Sequence, residues 1–199
     1  MRLLIATTNS GKLREIRDLL ADVPVELVSL ADLPPIPEPE ETGESFEANA
    51  RLKARYYAAH TGLPTVAEDS GLVVDAMDAE PGVRSARFLG ADASYAQRFD
   101  EIFRRLAARS DAPRTARFVC ALSFVQGQHG EVLFETTQTV EGAIASAPSG
   151  GGGFGYDPIF YFPPYQRTLA EVSQTEKLSV AHRGKAFRAF SVWLKNQKT

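Results

Sequence analysis

The chain has 199 residues, 44% of them hydrophobic and 24% charged, the make-up of an ordinary globule long enough to bury a real core. A net charge of −3 excludes a global basic field for wrapping duplex nucleic acid, so any anionic ligand must be held by local cations and backbone amides. The single cysteine, Cys120, excludes an internal disulfide and a cysteine-based metal site.

Taken in chain order, RLLIATT (2–8) reads as a short buried strand. The opening MRLLIATTNSGK turns polar after four apolar residues, too soon for a signal peptide, and no run approaches transmembrane length. The expectation is a protein of cytoplasmic type with no membrane partner. NSG then opens a helix at about Lys12, with Leu13, Ile16, Leu19 and Leu20 on one face. VELVSL (25–30) is a second strand, followed by a proline-rich acidic loop. A helix runs from about Ser45 to His60 and stops at Gly62. TVAED and GLVVDAM (65–77) read as strand, turn and strand. Tyr95, Phe99, Ile102, Phe103 and Leu106 predict a helix over about Ser94 to Arg109. Residues 115–126 and 131–141 form a hairpin around QGQHG, with alternation placing Cys120 among Phe118, Leu122 and Phe124 as a core thiol. A last helix covers about His182 to Lys198. Strands and helices alternate early, and an antiparallel pair follows. The pattern is α/β with a mixed sheet.

Four stretches carry possible chemistry. Thr7-Thr8-Asn9-Ser10-Gly11-Lys12 lies at a strand-to-helix turn, where unpaired N–H groups suit a phosphate. It is not a Walker A loop, having one glycine and Leu13 where that motif needs Ser or Thr, and a plain Asn/Ser cap explains it equally well. Glu68-Asp69-Ser70-Gly71 puts acidic residues between two apolar strands, which fits an oxygen-ligated Mg²⁺ or, more commonly, a turn in which Asp69 bonds its own backbone. Glu38, Glu40 and Glu41 are a second carboxylate reserve. In SGGGGFGYD (149–157) four glycines run straight into aromatic residues, so a slack tether is a poor reading; backbone approach to a ligand with a ring for stacking, or a tight turn feeding an aromatic core, fits better. Finally, Lys177, His182, Arg183 and Lys185 make a compact cationic cluster at a helix start.

In this order, LLIATTNSGKLREI, EETGESFEANARLKA, VAEDSGLVVDAMDAEPGVRSARF, GGFGYDPIF and EKLSVAHRGKA resemble the inosine triphosphate pyrophosphatase family over nearly the whole chain. The resemblance implies one domain over residues 1–199 with an elongated mixed β-sheet flanked by helices and two lobes around an active-site cleft. It implies a homodimer that hydrolyses ITP, dITP and XTP to the monophosphate and pyrophosphate with Mg²⁺. Other modified nucleotides are the alternative substrates.

Carried over by position, the resemblance makes Thr7, Thr8, Asn9, Ser10, Gly11 and Lys12 the triphosphate-binding turn, with Lys53 a further phosphate contact. Asp69 becomes the metal-binding carboxylate and proposed general base, and Ser70 a substrate contact. Glu40 or Glu41 is the second metal ligand, with Glu40 favoured. Phe154, Gly155, Tyr156 and Asp157 form the base-sandwiching loop, Lys177 contacts the nucleotide, and His182 and Arg183 read the purine 6-oxo group.

Overall fold

The computed structural model describes residues 1–109, 111–127 and 130–197. Seven strands form one sheet in the order β2-β1-β3-β4-β5-β6-β7. They are β1 (Arg2–Ile5), β2 (Glu26–Ser29), β3 (Thr65–Val74), β4 (Thr115–Gln126), β5 (Glu131–Ile144), β6 (Phe160–Phe162) and β7 (Arg167–Thr168). β1 pairs in parallel with β2 (Leu4 opposite Val28) and with β3 (Ile5 opposite Val66). β6 runs antiparallel to both β5 and β7, so the sheet is mixed. The helices are α1 (Ser10–Leu19), α2 (Phe46–Thr61), α3 (Tyr95–Ala107), α4 (Gln174–Val180) and α5 (His182–Asn196). Among the described residues no helix is long and apolar enough to cross a membrane.

The chain divides into two compact units whose boundaries fall inside β3, β4 and β5 and between α4 and α5. The first holds Met1–Asp69, Cys120–Gln138 and the residues from His182 onward. In it β1 is buried on both faces, which explains an apolar run without alternation. Leu3 and Ile5 pack with Ile16 and Leu20 of α1 and Phe187 and Phe190 of α5. Leu4 points the other way, into Val28 and the small Ala54 and Ala58 of α2. Each fully buried large side chain here contributes about 1.5–3 kcal/mol. α2 begins where Ser45 Oγ accepts from Ala48 N and ends at Gly62, whose left-handed φ of 70° lets its N–H cap Ala58 O.

The second unit holds Ser70–Val119 and Thr139–Ala181. Phe99, Ile102 and Leu106 present the apolar face of α3 to Leu72, Val74, Phe118, Tyr156 and Phe160. A reciprocal cap between Ser94 and Gln97 starts that helix.

The structure departs from the sequence reading in four places. Residues 68–71 are not a turn; β3 continues through them, because Glu68 and Asp69 meet cations that make a buried position tolerable. β6, β7 and α4 are additional elements. Residues 128 and 129 of the QGQHG turn, and Lys198, lie outside the described residues.

Candidate active site

In the first unit, Asn9 is the N-cap of α1, its Oδ1 accepting from Lys12 N at 3.0 Å, while its own N–H donates to Thr7 Oγ1. The cap and the phosphate-turn readings are therefore compatible, since capping uses the oxygen of the Asn9 amide and its NH₂ is a donor. Thr8, Asn9 and Ser10 are exposed, and the first turn carries no acidic residue, so this positive helix end stands open to solvent.

Behind that turn lies a buried lattice of charge. Glu68 Oε1 accepts from Arg183 Nε at 3.0 Å and lies 3.1 Å from Lys12 Nζ. Its Oε2 takes the Cys120 thiol at 3.5 Å, and Arg183 Nη1 donates to Glu15 Oε2 at 2.6 Å. Burial would push the Glu68 carboxyl up, but Arg183, Lys12 and Lys53 outweigh it and hold the group well below the usual carboxylate range. The same carboxylates overcome burial to raise Arg183. Burial, then Glu68, pushes the Cys120 thiol well up, which makes it an inert core group.

Asp69 sits at the end of this lattice. Its Oδ1 is 3.3 Å from Lys53 Nζ and its Oδ2 accepts from Asn49 Nδ2 at 3.1 Å. Lys53 also donates to Glu41 Oε1 at 2.6 Å. Of the two carboxylates weighed for this position, the structure brings in Glu41, whereas Glu40 is exposed. Burial raises the Asp69 carboxyl despite Lys53 and Lys12, and Lys53 is raised by Asp69 and Glu41 despite its own burial.

Among the described residues no group of three or more His, Cys, Asp or Glu side chains forms a metal-holding cluster. A hard cation that keeps most of its waters needs only one or two carboxylates. Asp69 and Glu41 already share one ammonium, and the donors are oxygen only, so the residues fit Mg²⁺. Ser70 follows Asp69 along β3 and is half-buried; His182 is buried at the start of α5.

The second unit carries the glycine loop. Asp157 is buried and latches it, one oxygen accepting from Phe154 N at 2.8 Å and from Lys177 Nζ at 2.6 Å. That ammonium also lies 4.6 Å over the Phe154 ring centroid. Gly153 has a φ of 66°, and a Cβ there would collide with the Asp157 carboxylate. Gly150 (φ 83°) packs equally closely on the Ala170 carbonyl. Past the loop, Tyr156 is buried, its hydroxyl donating to Ser85 O at 2.8 Å. Gly155 separates these two anchors at a φ of 65°. The run is a wound turn in which Gly150 and Gly153 admit backbone and carboxylate where no side chain fits. Asp157 and Lys177, expected to contact nucleotide, are engaged with each other.

Sequence reasoning did not single out Glu15, Asn49 or the bridging role of Glu68. A signal exists for the first two: Glu15 is three residues after Lys12, and Asn49 four before Lys53, so each shares a helix face with a lysine already noted.

An α/β chain with a mixed seven-stranded sheet, a solvent-open helix N-terminus and a lysine–carboxylate lattice behind it belongs among proteins equipped for a phosphorylated ligand. The model of the Ham1 family matches residues 3–193, and the chain belongs to that family. It is 39% identical over 194 residues to the dITP/XTP pyrophosphatase of Coxiella burnetii, covering 98% of this chain and 96% of that one. It is 46% identical over 188 residues to the protein of the same name from an Exiguobacterium species, covering 94% of each. The solved structure of a HAM1 protein from Coxiella burnetii superposes with a TM-score of 0.91 over 98% of both chains at 39% identity.

Proposed function

We propose that this chain hydrolyses deaminated purine nucleoside triphosphates, dITP, ITP and XTP, to the monophosphate and pyrophosphate. The carrying observation is the near-full-length identity to proteins named dITP/XTP pyrophosphatase. The charge lattice around Asp69 supplies the means.

Lys12 and the first-turn amides of α1 bind the triphosphate, with Lys53 adding positive charge beside Asp69. Two unit charges about 4 Å apart interact by about 4 kcal/mol at an effective dielectric near 20, so phosphates cannot approach these carboxylates uncompensated. Asp69 and Glu41 would hold Mg²⁺, which when bound supplies that compensation. Asp69, oriented by Asn49 and Lys53, positions a water and takes its proton as the water oxygen bonds to the α-phosphorus. The bond from that phosphorus to the bridging oxygen breaks, and pyrophosphate leaves with the electron pair.

In the second unit, Phe154 offers a ring to a planar base. In the first unit, His182 and Arg183 donate to a purine 6-oxo group, where adenine would present a second donor. Each unsatisfied buried polar group costs about 1–3 kcal/mol, so two such contacts discriminate by orders of magnitude. The reading also takes the chain to be a cytoplasmic homodimer; light scattering of the purified protein tests the dimer.

The deciding experiment is a nucleotide panel with and without Mg²⁺, resolved for pyrophosphate and orthophosphate. Pyrophosphate from dITP, with ATP spared, supports the reading. Release of orthophosphate alone, or no turnover with the metal supplied, would sink it.

A further inference from the structure

Resting on the hydrolase reading above, we propose that Asn49 is a positioning residue that fixes the Asp69 carboxylate and ties it to the loop carrying Glu41. Four contacts close a ring. Asn49 Nδ2 donates to Asp69 Oδ2 (3.1 Å), Lys53 Nζ lies 3.3 Å from Asp69 Oδ1, the same ammonium donates to Glu41 Oε1 (2.6 Å), and Gly43 N donates to Asn49 Oδ1 (2.8 Å). Thr42, the one residue between Glu41 and Gly43, completes the circuit.

The geometry has three consequences. Asn49 and Lys53 stand one helical turn apart on α2, so a single rigid element addresses both oxygens of Asp69 and stops the carboxylate rotating. Asn49 is 0% exposed, and only one orientation of its amide works. The flipped form would set oxygen against the carboxylate and NH₂ against the Gly43 N–H. Aspartate at position 49 would lose the donor and leucine would lose both partners. Gly43 completes the fit, since a Cβ there would lie 2.6 Å from Asn49 Oδ1 and 2.9 Å from Ala48 Cβ. The absent side chain at 43 is therefore what brings the Glu41 loop close enough to be held.

Supporting groups of this kind, which orient a carboxylate without touching substrate, typically cost about 10–100-fold in metal affinity or activity when removed. The test uses the full chain with Asn49→Ala and Gly43→Ala. It follows kcat and KM on dITP, Mn²⁺ binding without nucleotide by electron paramagnetic resonance, and urea unfolding. We expect Asn49→Ala to lower kcat with little change in KM and to weaken Mn²⁺ binding, both within the about 10–100-fold range. A folded Asn49→Ala protein with wild-type kcat and Mn²⁺ affinity overturns the proposal, whatever its stability. Should that variant not fold, Gly43→Ala, which displaces the loop and leaves Asp69 untouched, must weaken Mn²⁺ binding; unchanged binding overturns the proposal equally. A wild-type chain inert toward dITP defeats the hydrolase reading instead, and the Mn²⁺ measurement then still decides whether Asn49 positions the carboxylates.

Discussion

Glu68 Oε1 stands 3.0 Å from Arg183 Nε, and both side chains are almost wholly buried. The pair joins the middle of β3 to the first turn of α5, residues 115 positions apart in the chain. Because Glu15 holds the other side of the guanidinium, Arg183 carries a structural role in addition to the base contact proposed for it.

Arg183→Ala should therefore destabilise the protein itself. It strands two buried carboxylates, and breaking a buried pair from one side costs about 3–5 kcal/mol. Urea unfolding measures this directly, and a midpoint equal to wild type would contradict it. Lost activity in this variant is not evidence of base reading; the ITP-to-ATP ratio of kcat/KM in the folded fraction is the relevant quantity, and it should flatten.

Asp69→Asn should behave in the opposite way. A carboxyl raised by burial favours its neutral form, so the group contributes stability only while protonated, fully below the unfolded-state pKa, and that contribution is lost as pH rises through the folded-state pKa. At neutral pH an uncharged isostere should leave the melting temperature equal or higher. Turnover should fall by about 10²–10⁴-fold, the usual worth of a positioned acid–base group, with nucleotide binding partly kept. A stable variant with normal kcat would remove Asp69 from the chemistry.

The glycine run separates into positions that differ in tolerance. Gly153→Ala forces a side chain into left-handed backbone, at about 1–2 kcal/mol, and against the Asp157 carboxylate besides. Gly151→Ala meets nothing within 4 Å and should be neutral. Calorimetry on the two variants compares them; equal melting temperatures would mean the loop is not wound as described.

Cys120 should be silent in the native protein. It is 0% exposed and its thiol is pushed well up by burial and Glu68, so a thiol reagent should label it only as the chain opens. Rapid stoichiometric labelling without denaturant would refute the burial.

Much of the fold was legible because its signals are local. Ser45 and Gly62 punctuate α2, Leu13 and Ile16 mark the inner face of α1, and the aromatic spacing of α3 repeats at the helical period. β6 and β7, three and two residues long, are too short to show any period, and seven-residue α4 falls just short of two turns. The Asp-Ser-Gly stretch misled for another reason: its local turn preference is overruled by Arg183, Lys12 and Lys53, which no neighbouring residue announces. That Glu41 and not Glu40 meets Lys53 was not legible, because a proline-rich loop has no register to read.

Composition and periodicity by themselves established an α/β chain with a lone buried thiol, a capped turn before α1 and an acidic pair at 68–69 out of keeping with its apolar flanks. Only the tertiary structure decided which charges meet: Glu68 with Arg183, Asp69 with Lys53 and Asn49, Asp157 with Lys177. The physical reason is that backbone preference acts over a few residues, whereas a buried charge is stable only beside a partner that folding delivers from elsewhere in the chain.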